Sequence, residues 1–210
     1  MFDSQETVWI IVGPNGAGKS SFVANPPVDM RGLSKLPFLN PDSILTTNMA
    51  HYGSESLLEA LRRTSSEMEG FIQSHLGARK SFIVEKVMPT LGFIGASFSS
   101  LQSQGWNIAT IVIGLNDVNL SQQRVHQRVG GGGHDAKLLG LKAAFSAHMR
   151  LLPRLMEMSD FSRIYDNSGY DYELLAQKFG AGEPLRSSDF IVSSRAYDSP
   201  YLHKLMQPHL

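Results

Sequence analysis

A chain of 210 residues, 42% apolar and 18% charged, is long enough for one α/β domain with a full core. Lysine plus arginine and aspartate plus glutamate stand at 19 each, so no global field draws the molecule to nucleic acid or to an anionic membrane. The absence of cysteine excludes a disulfide framework and thiolate metal sites, and no apolar run approaches the roughly 18 residues of a membrane span. The acidic start does not read as a signal peptide, so the expectation is a soluble, cytoplasmic enzyme.

Short apolar runs alternate with longer amphipathic stretches, the pattern of strand–helix units around a parallel sheet. The first predicted strand, Val8–Val12, leads into Gly13-Pro14-Asn15-Gly16-Ala17-Gly18-Lys19-Ser20. That octet fits G-x-x-x-x-G-K-[ST], the phosphate-binding P-loop. Small residues let successive backbone N–H groups curl around a phosphate, and the helix that opens through Ser21 presents its N-terminus to the same anion. Lys19 can reach the β- and γ-phosphates, and the Ser20 hydroxyl can ligate Mg²⁺. A strand before and a helix-compatible stretch after are the context the motif needs. The chain is expected to bind a nucleoside triphosphate, ATP, with Mg²⁺.

A short second strand, Pro37–Asn40, runs into Leu39-Asn40-Pro41-Asp42-Ser43. Next comes a helix with Leu57, Leu61, Met68, Phe71, Ile72 and Leu76 at helical spacing, Ser54 as its candidate cap and Gly77 as its end. Such a stripe reads as core packing. Further strands are predicted at Ser81–Glu85, Ile108–Leu115 and Arg163–Asp166, and a second long helix from about Ala136 to Met158, which Pro153 should bend or end. Tyr172–Phe179 reads as a last helix closing at Gly180, and Phe190–Val192 as an optional edge strand. Without repeat or linker, residues 1–180 form one domain and 181–210 a tail packed on it or extending it. The predicted fold is α/β, a P-loop NTPase with a mainly parallel sheet of about five strands flanked by helices.

The wording GPNGAGKS also suits ABC-type transport ATPases, and Leu120–Val125 faintly echoes their signature segment. The signature glycines are absent, however, and no apolar run ending in Asp-Glu follows at the expected distance. A GTPase lacks support because no Asn-Lys-x-Asp element occurs. The ordered set from Trp9 to Ser168 instead resembles the zeta-toxin family of P-loop kinases. Its members carry the GPNGAGK loop, N-[AP]-D after the second strand, glutamate ending the third, R-V-x-x-R-V before a G-G-H turn, and D-N-S near the end. Here these are Asn40–Asp42, Phe82–Glu85, Arg124 to Arg128 leading into Gly130–His134, and Asp166–Ser168.

The resemblance implies that Asp42 is the general base for an acceptor hydroxyl; the bland alternative is a helix cap made by Asp42 or Ser43. It implies that Glu85 holds the acceptor or a metal-bound water, the alternative being a strand-end carboxylate facing solvent. Relatives continue with small hydroxyl residues where this chain has Lys86-Val87-Met88-Pro89, so Lys86 is read as pairing with a substrate phosphate or with Glu85. Arg124 and Arg128 share a helix face and can converge on the γ-phosphate, with Gly130–Gly133 as a lid hinge; a solvated face with a loose loop is the alternative. His134 is read as ordering that loop by a hydrogen bond. Lys142 stands where relatives carry arginines, with Arg150 further along. Asn167 is left open between reading adenine and forming an Asx-type turn.

By resemblance, the reaction is transfer of the γ-phosphoryl group to a hydroxyl of a small molecule, such as UDP-N-acetylglucosamine in toxin-type members. A toxin would need a separate antitoxin chain seated over the nucleotide cleft. The alternative function is a nucleotide-dependent ATPase or switch acting on a partner protein.

Overall fold

Strand β1 (Thr7–Val12) is buried along its whole length, and a strand covered on both faces belongs in the interior of a parallel sheet. A computed structural model of the chain describes residues 6–52, 56–86, 91–130 and 150–182, together with 189, 199, 200, 203 and 204; of residues 52, 91–96 and 128–130 it describes the backbone alone. In it β1 lies between β3 (Phe82–Lys86) and β4 (Asn107–Gly114), parallel to both. With β2 (Phe38–Leu39), β5 (Phe161–Asp166) and β6 (Glu173–Phe179), the order among the described residues is β2-β3-β1-β4-β5-β6. Among the described residues, β5–β6 is the one antiparallel pair and the other pairs are parallel.

Handedness assigns the helices to faces. Right-handed crossovers between parallel strands put connections that move one way along the sheet on one face and those moving the other way on the opposite face. Only the β1-to-β2 connection moves towards the β2 edge. It carries α1 (Lys19–Ala24) and a 3-10 helix (Val28–Lys35), which bury Phe22, Val23, Met30 and Leu33 against Trp9, Ile11, Ile83 and Ile111. The other face takes α2 (Pro41–Tyr52), α3 (Leu57–Gly77), α4 (Leu91–Ser103) and a helical run at 150–158. Ile44, Met68, Phe71, Phe98, Leu101, Leu152 and Met156 pack there on Val8, Ile10, Phe82, Val84 and Ile108. Connections diverge at the C-terminal ends of β1 and β3, the crevice where open α/β sheets bind ligands.

The α/β fold and its mainly parallel sheet match the sequence-based expectation, with β6 as the difference. Tyr172, Leu175, Ala176 and Phe179 stand at i, i+3, i+4 and i+7, which is a helical stripe. The segment is nevertheless a strand. Tyr165 pairs with Leu174 and Ile164 with Ala176, so Leu175 is the extra residue of a β-bulge. The bulge buries Leu175 and Ala176 in the same core cluster, breaking the period of two. Gly180 still ends the element, at φ 93°.

Three smaller corrections concern the helices. Ser56, not Ser54, precedes α3. The apolar stripe of α3 is core only from Met68 onward, since Leu57 and Leu61 are 48% and 43% exposed. Pro153 sits inside the 150–158 run without ending it. Residues 136–149 and the suggested strand 190–192 lie outside the described residues. Among the described residues, no helix is long and apolar enough to cross a membrane.

Candidate active site

The loop after β1 is shaped by contacts that only glycine permits. A Cβ on Gly13 would lie 2.2 Å from the carbonyl oxygen of Ile113 on β4, so the chain turns there against a neighbouring strand. Gly18 has φ +90° and precedes α1, whose first bond is Phe22 N–H to the Gly18 carbonyl at 2.9 Å. Lys19 begins the helix with its side chain 5% exposed. Its ammonium donates to the carbonyls of Gly13 at 3.1 Å and Pro14 at 3.2 Å.

Strand alternation brings Glu85 to this loop. Ile83 and Glu85 share the α1 face of β3, and Glu85 stands level with Ile11 one strand away. Glu85 is 6% exposed, and its Oε1 lies 3.7 Å from the Lys19 ammonium. Its Oε2 accepts from the Ser20 hydroxyl at 2.7 Å and from the Asn40 amide at 3.0 Å. A carboxylate this dry is tolerable because it is both charge-paired and hydrogen-bonded. A solvent-facing role for Glu85 is thereby excluded.

Asn40 closes the group from β2. Its amide also donates to Ser20 Oγ at 3.2 Å, while its Oδ1 accepts the Ser43 N–H at 3.1 Å. Asn40 is thus the cap of α2, with Pro41 in the favoured first position, and the alternative of a cap made by Asp42 or Ser43 does not hold. The Asp42 carboxylate lies exposed in the first turn of α2 and makes no hydrogen bond or ion pair among the described residues. Only its backbone carbonyl is engaged, by the Thr46 hydroxyl at 2.8 Å.

Later segments complete the loop's surroundings. Arg124, half-buried on α5 (Val118–Gly130), starts 3.2 Å from where a Gly16 Cβ would be. Asn167 donates to the Ala17 carbonyl at 2.8 Å, and Tyr172 to the Gly18 carbonyl at 2.8 Å. The Asx-type turn is made by Asp166, which accepts the Ser168 N–H at 3.0 Å, so Asn167 holds the loop instead. Burial pushes the Tyr172 phenol up to about 12, and the nearby Arg124 charge opposes that rise only in part.

Lys86 is not gathered with the others. One residue on from Glu85, it points to the opposite face of β3, where with Ile10, Leu76, Val84 and Phe98 it lines a cavity of about 380 Å³. Burial lowers its ammonium from the ordinary lysine range. The Arg128 side chain, residues 131–133, His134 and Lys142 lie outside the described residues, and Arg150 opens the 150–158 run in an exposed position.

Three contributors carry no site role in the sequence, although Asn40 belongs to the Asn40–Asp42 motif. Asn40 carried a local signal, a capping residue before proline at a helix start. Ser121, which donates to the Asn15 carbonyl at 2.6 Å, and Tyr172 carried none, since their partners lie far away in sequence.

No protein-family model and no curated protein matches this chain. Solved structures do. A chain of the AvrRxo1-ORF1:AvrRxo1-ORF2 complex with ATP superposes with TM-score 0.68 at 17% identity, over 94% of this chain and 65% of the other. This chain therefore spans just under two thirds of that protein's length. A chain of the PezAT chromosomal toxin–antitoxin system of Streptococcus pneumoniae gives TM-score 0.62 at 16% identity, over 89% and 82%. One from the Pnkp1/Rnl/Hen1 RNA repair complex gives 0.54 at 15%, over 85% and 50%. The chain shares its P-loop α/β fold with these proteins, one of which belongs to a toxin–antitoxin system.

Proposed function

We propose that this chain is an ATP-dependent kinase that transfers the γ-phosphoryl group to a hydroxyl of a small molecule. The observation that carries this reading is the group formed by Lys19, Ser20, Asn40 and Glu85 at the C-terminal ends of β1, β2 and β3. The loop's N–H groups and Lys19 receive the β- and γ-phosphates, and Lys19 turns from the Gly13 and Pro14 carbonyls to do so. Hard oxygen donors from Ser20 and Glu85, 2.7 Å apart, suit Mg²⁺, which is commonly bound by one or two carboxylates plus water and phosphate. Held by Ser20 and Glu85, Mg²⁺ would supply positive charge against the charge that develops on the phosphates.

Asp42 is the residue free to take a proton. Its unengaged carboxylate orients the acceptor hydroxyl and accepts its hydrogen as the oxygen bonds to the γ-phosphorus. The bond from phosphorus to the β-phosphate bridging oxygen breaks, and its electron pair leaves with ADP. Arg124 stands beside the loop to balance the charge spread over the transferring group, and Arg128, one turn on, is assigned the same role. A nucleotide-activated sugar such as UDP-N-acetylglucosamine is the acceptor that the zeta-toxin resemblance favours. On the same footing, an inhibitory partner chain would cover the cleft, as suits a fold shared with a chain of the PezAT toxin–antitoxin system.

The test is incubation with γ-labelled ATP and a metabolite pool, run beside Asp42→Ala. Label on an organic product from wild type, and not from the variant, is expected. Label released only as inorganic phosphate would favour the ATPase or switch reading.

A further inference from the structure

Three side chains distant in sequence end on carbonyls of the phosphate loop. Ser121 of α5 donates to the Asn15 carbonyl at 2.6 Å, Asn167 to the Ala17 carbonyl at 2.8 Å, and Tyr172 to the Gly18 carbonyl at 2.8 Å. A trans peptide is planar, with its N–H directed away from its C=O. Fixing those carbonyls therefore fixes the direction of the next N–H in each case: Gly16, Gly18 and Lys19.

We propose that Tyr172 and Asn167, joined by Ser121, are positioning residues that aim the phosphate loop's N–H groups at the bound anion. They act through the backbone and touch no reacting atom. Gly18 supplies an independent observation. A Cβ there would lie 2.5 Å from Asn167 Nδ2 and 3.0 Å from the Tyr172 hydroxyl, so the clamp occupies the space a side chain would need. The Tyr172 ring is itself held, edge-on to Phe22 with centroids 5.0 Å apart, and Phe22 is fully buried on α1. The loop is thus gripped from the β5–β6 connection, with the ring braced on the helix the loop feeds. Burial keeps the phenol protonated, and so a donor, beyond the ordinary range of tyrosine.

This proposal rests on the loop being a phosphate site, and the experiment separates the two. ADP binding is measured by calorimetry on wild type, Tyr172→Phe and Asn167→Asp, with the unfolding midpoint of each ligand-free protein. Tyr172→Phe keeps the ring and removes one neutral hydrogen bond, and should weaken ADP about threefold to tenfold while the midpoint stays close to wild type. Asn167→Asp sets a carboxylate against the Ala17 carbonyl and should weaken ADP further. Site-specific 3,5-difluorotyrosine at 172, a phenol that ionises at lower pH, adds a pH profile. Affinity in that protein should fall as the phenol loses its proton, across a range where wild type holds steady, and a purely structural role would not produce this. Unchanged ADP affinity in both substitutions overturns the clamp, as does a loss only in proportion to unfolding. Failure of wild type itself to bind ADP overturns the phosphate-site reading instead.

Discussion

Asn40 and Glu85 meet at 3.0 Å across the β2–β3 edge, joining the cap of α2 to the carboxylate that faces the phosphate loop. One amide side chain orients both the helix that carries Asp42 and the donor set around Ser20. Asn40→Ala should therefore cost more than a surface cap. Loss of the cap alone is worth about 1 kcal/mol. Withdrawing a donor from buried Glu85 adds about 1–3 kcal/mol. Chemical denaturation should show a loss of about 2–4 kcal/mol, and turnover should fall because Asp42 is no longer held in register.

Glu85→Gln separates charge from shape. The isosteric amide preserves packing but cannot pair with Lys19 or offer an anionic oxygen. Mg²⁺ affinity measured with ADP present should fall by an order of magnitude or more, and the unfolding midpoint should fall too, because the buried Lys19 ammonium loses its partner charge. Undiminished Mg²⁺ affinity would remove Glu85 from the metal-binding role.

Gly18→Ala introduces a Cβ into Asn167 and Tyr172 at a φ of +90°. Backbone strain of about 1–3 kcal/mol is expected, together with weakened nucleotide binding. Gly70→Ala, on α3 with nothing within 4 Å of the added Cβ, is the control and should be neutral or stabilising.

Alkaline stability should report the buried phenols. Tyr172 is pushed up to about 12 from 10.0, chiefly by burial, so between those values the folded chain keeps a proton that the unfolded chain releases. Its contribution is whole below pH 10 and disappears as the pH rises towards 12. Burial raises Tyr165 as well, so the two act in the same direction. Denaturation midpoints should fall across this window, and less steeply in Tyr172→Phe.

Much of the site was legible because phosphate chemistry writes it locally. The loop from Gly13 to Ser20 announces its own geometry, and Glu85 and Asn40 stand at strand ends that an alternating apolar pattern locates. Their mutual contacts were not legible, because β3 inserts between β1 and β2 only through the crossover order. Tyr172 shows the harder limit. Its segment satisfies a helical template, and the bulge at Leu175 that makes it a strand depends on pairing with Ile164 and Tyr165. Lys86 failed for a simpler reason. Strand alternation sends it to the face opposite Glu85, a consequence of neighbouring positions that motif matching overlooks.

The measurement that bears most directly on the account is calorimetric titration of Mg·ATP into wild type and Lys19→Ala. The ammonium near Glu85 is the charge intended for the β- and γ-phosphates. Losing a charged hydrogen bond of about 1.5–3 kcal/mol should weaken binding roughly tenfold to more than a hundredfold. Equal affinities in the two proteins would contradict the claim that this loop holds a nucleotide.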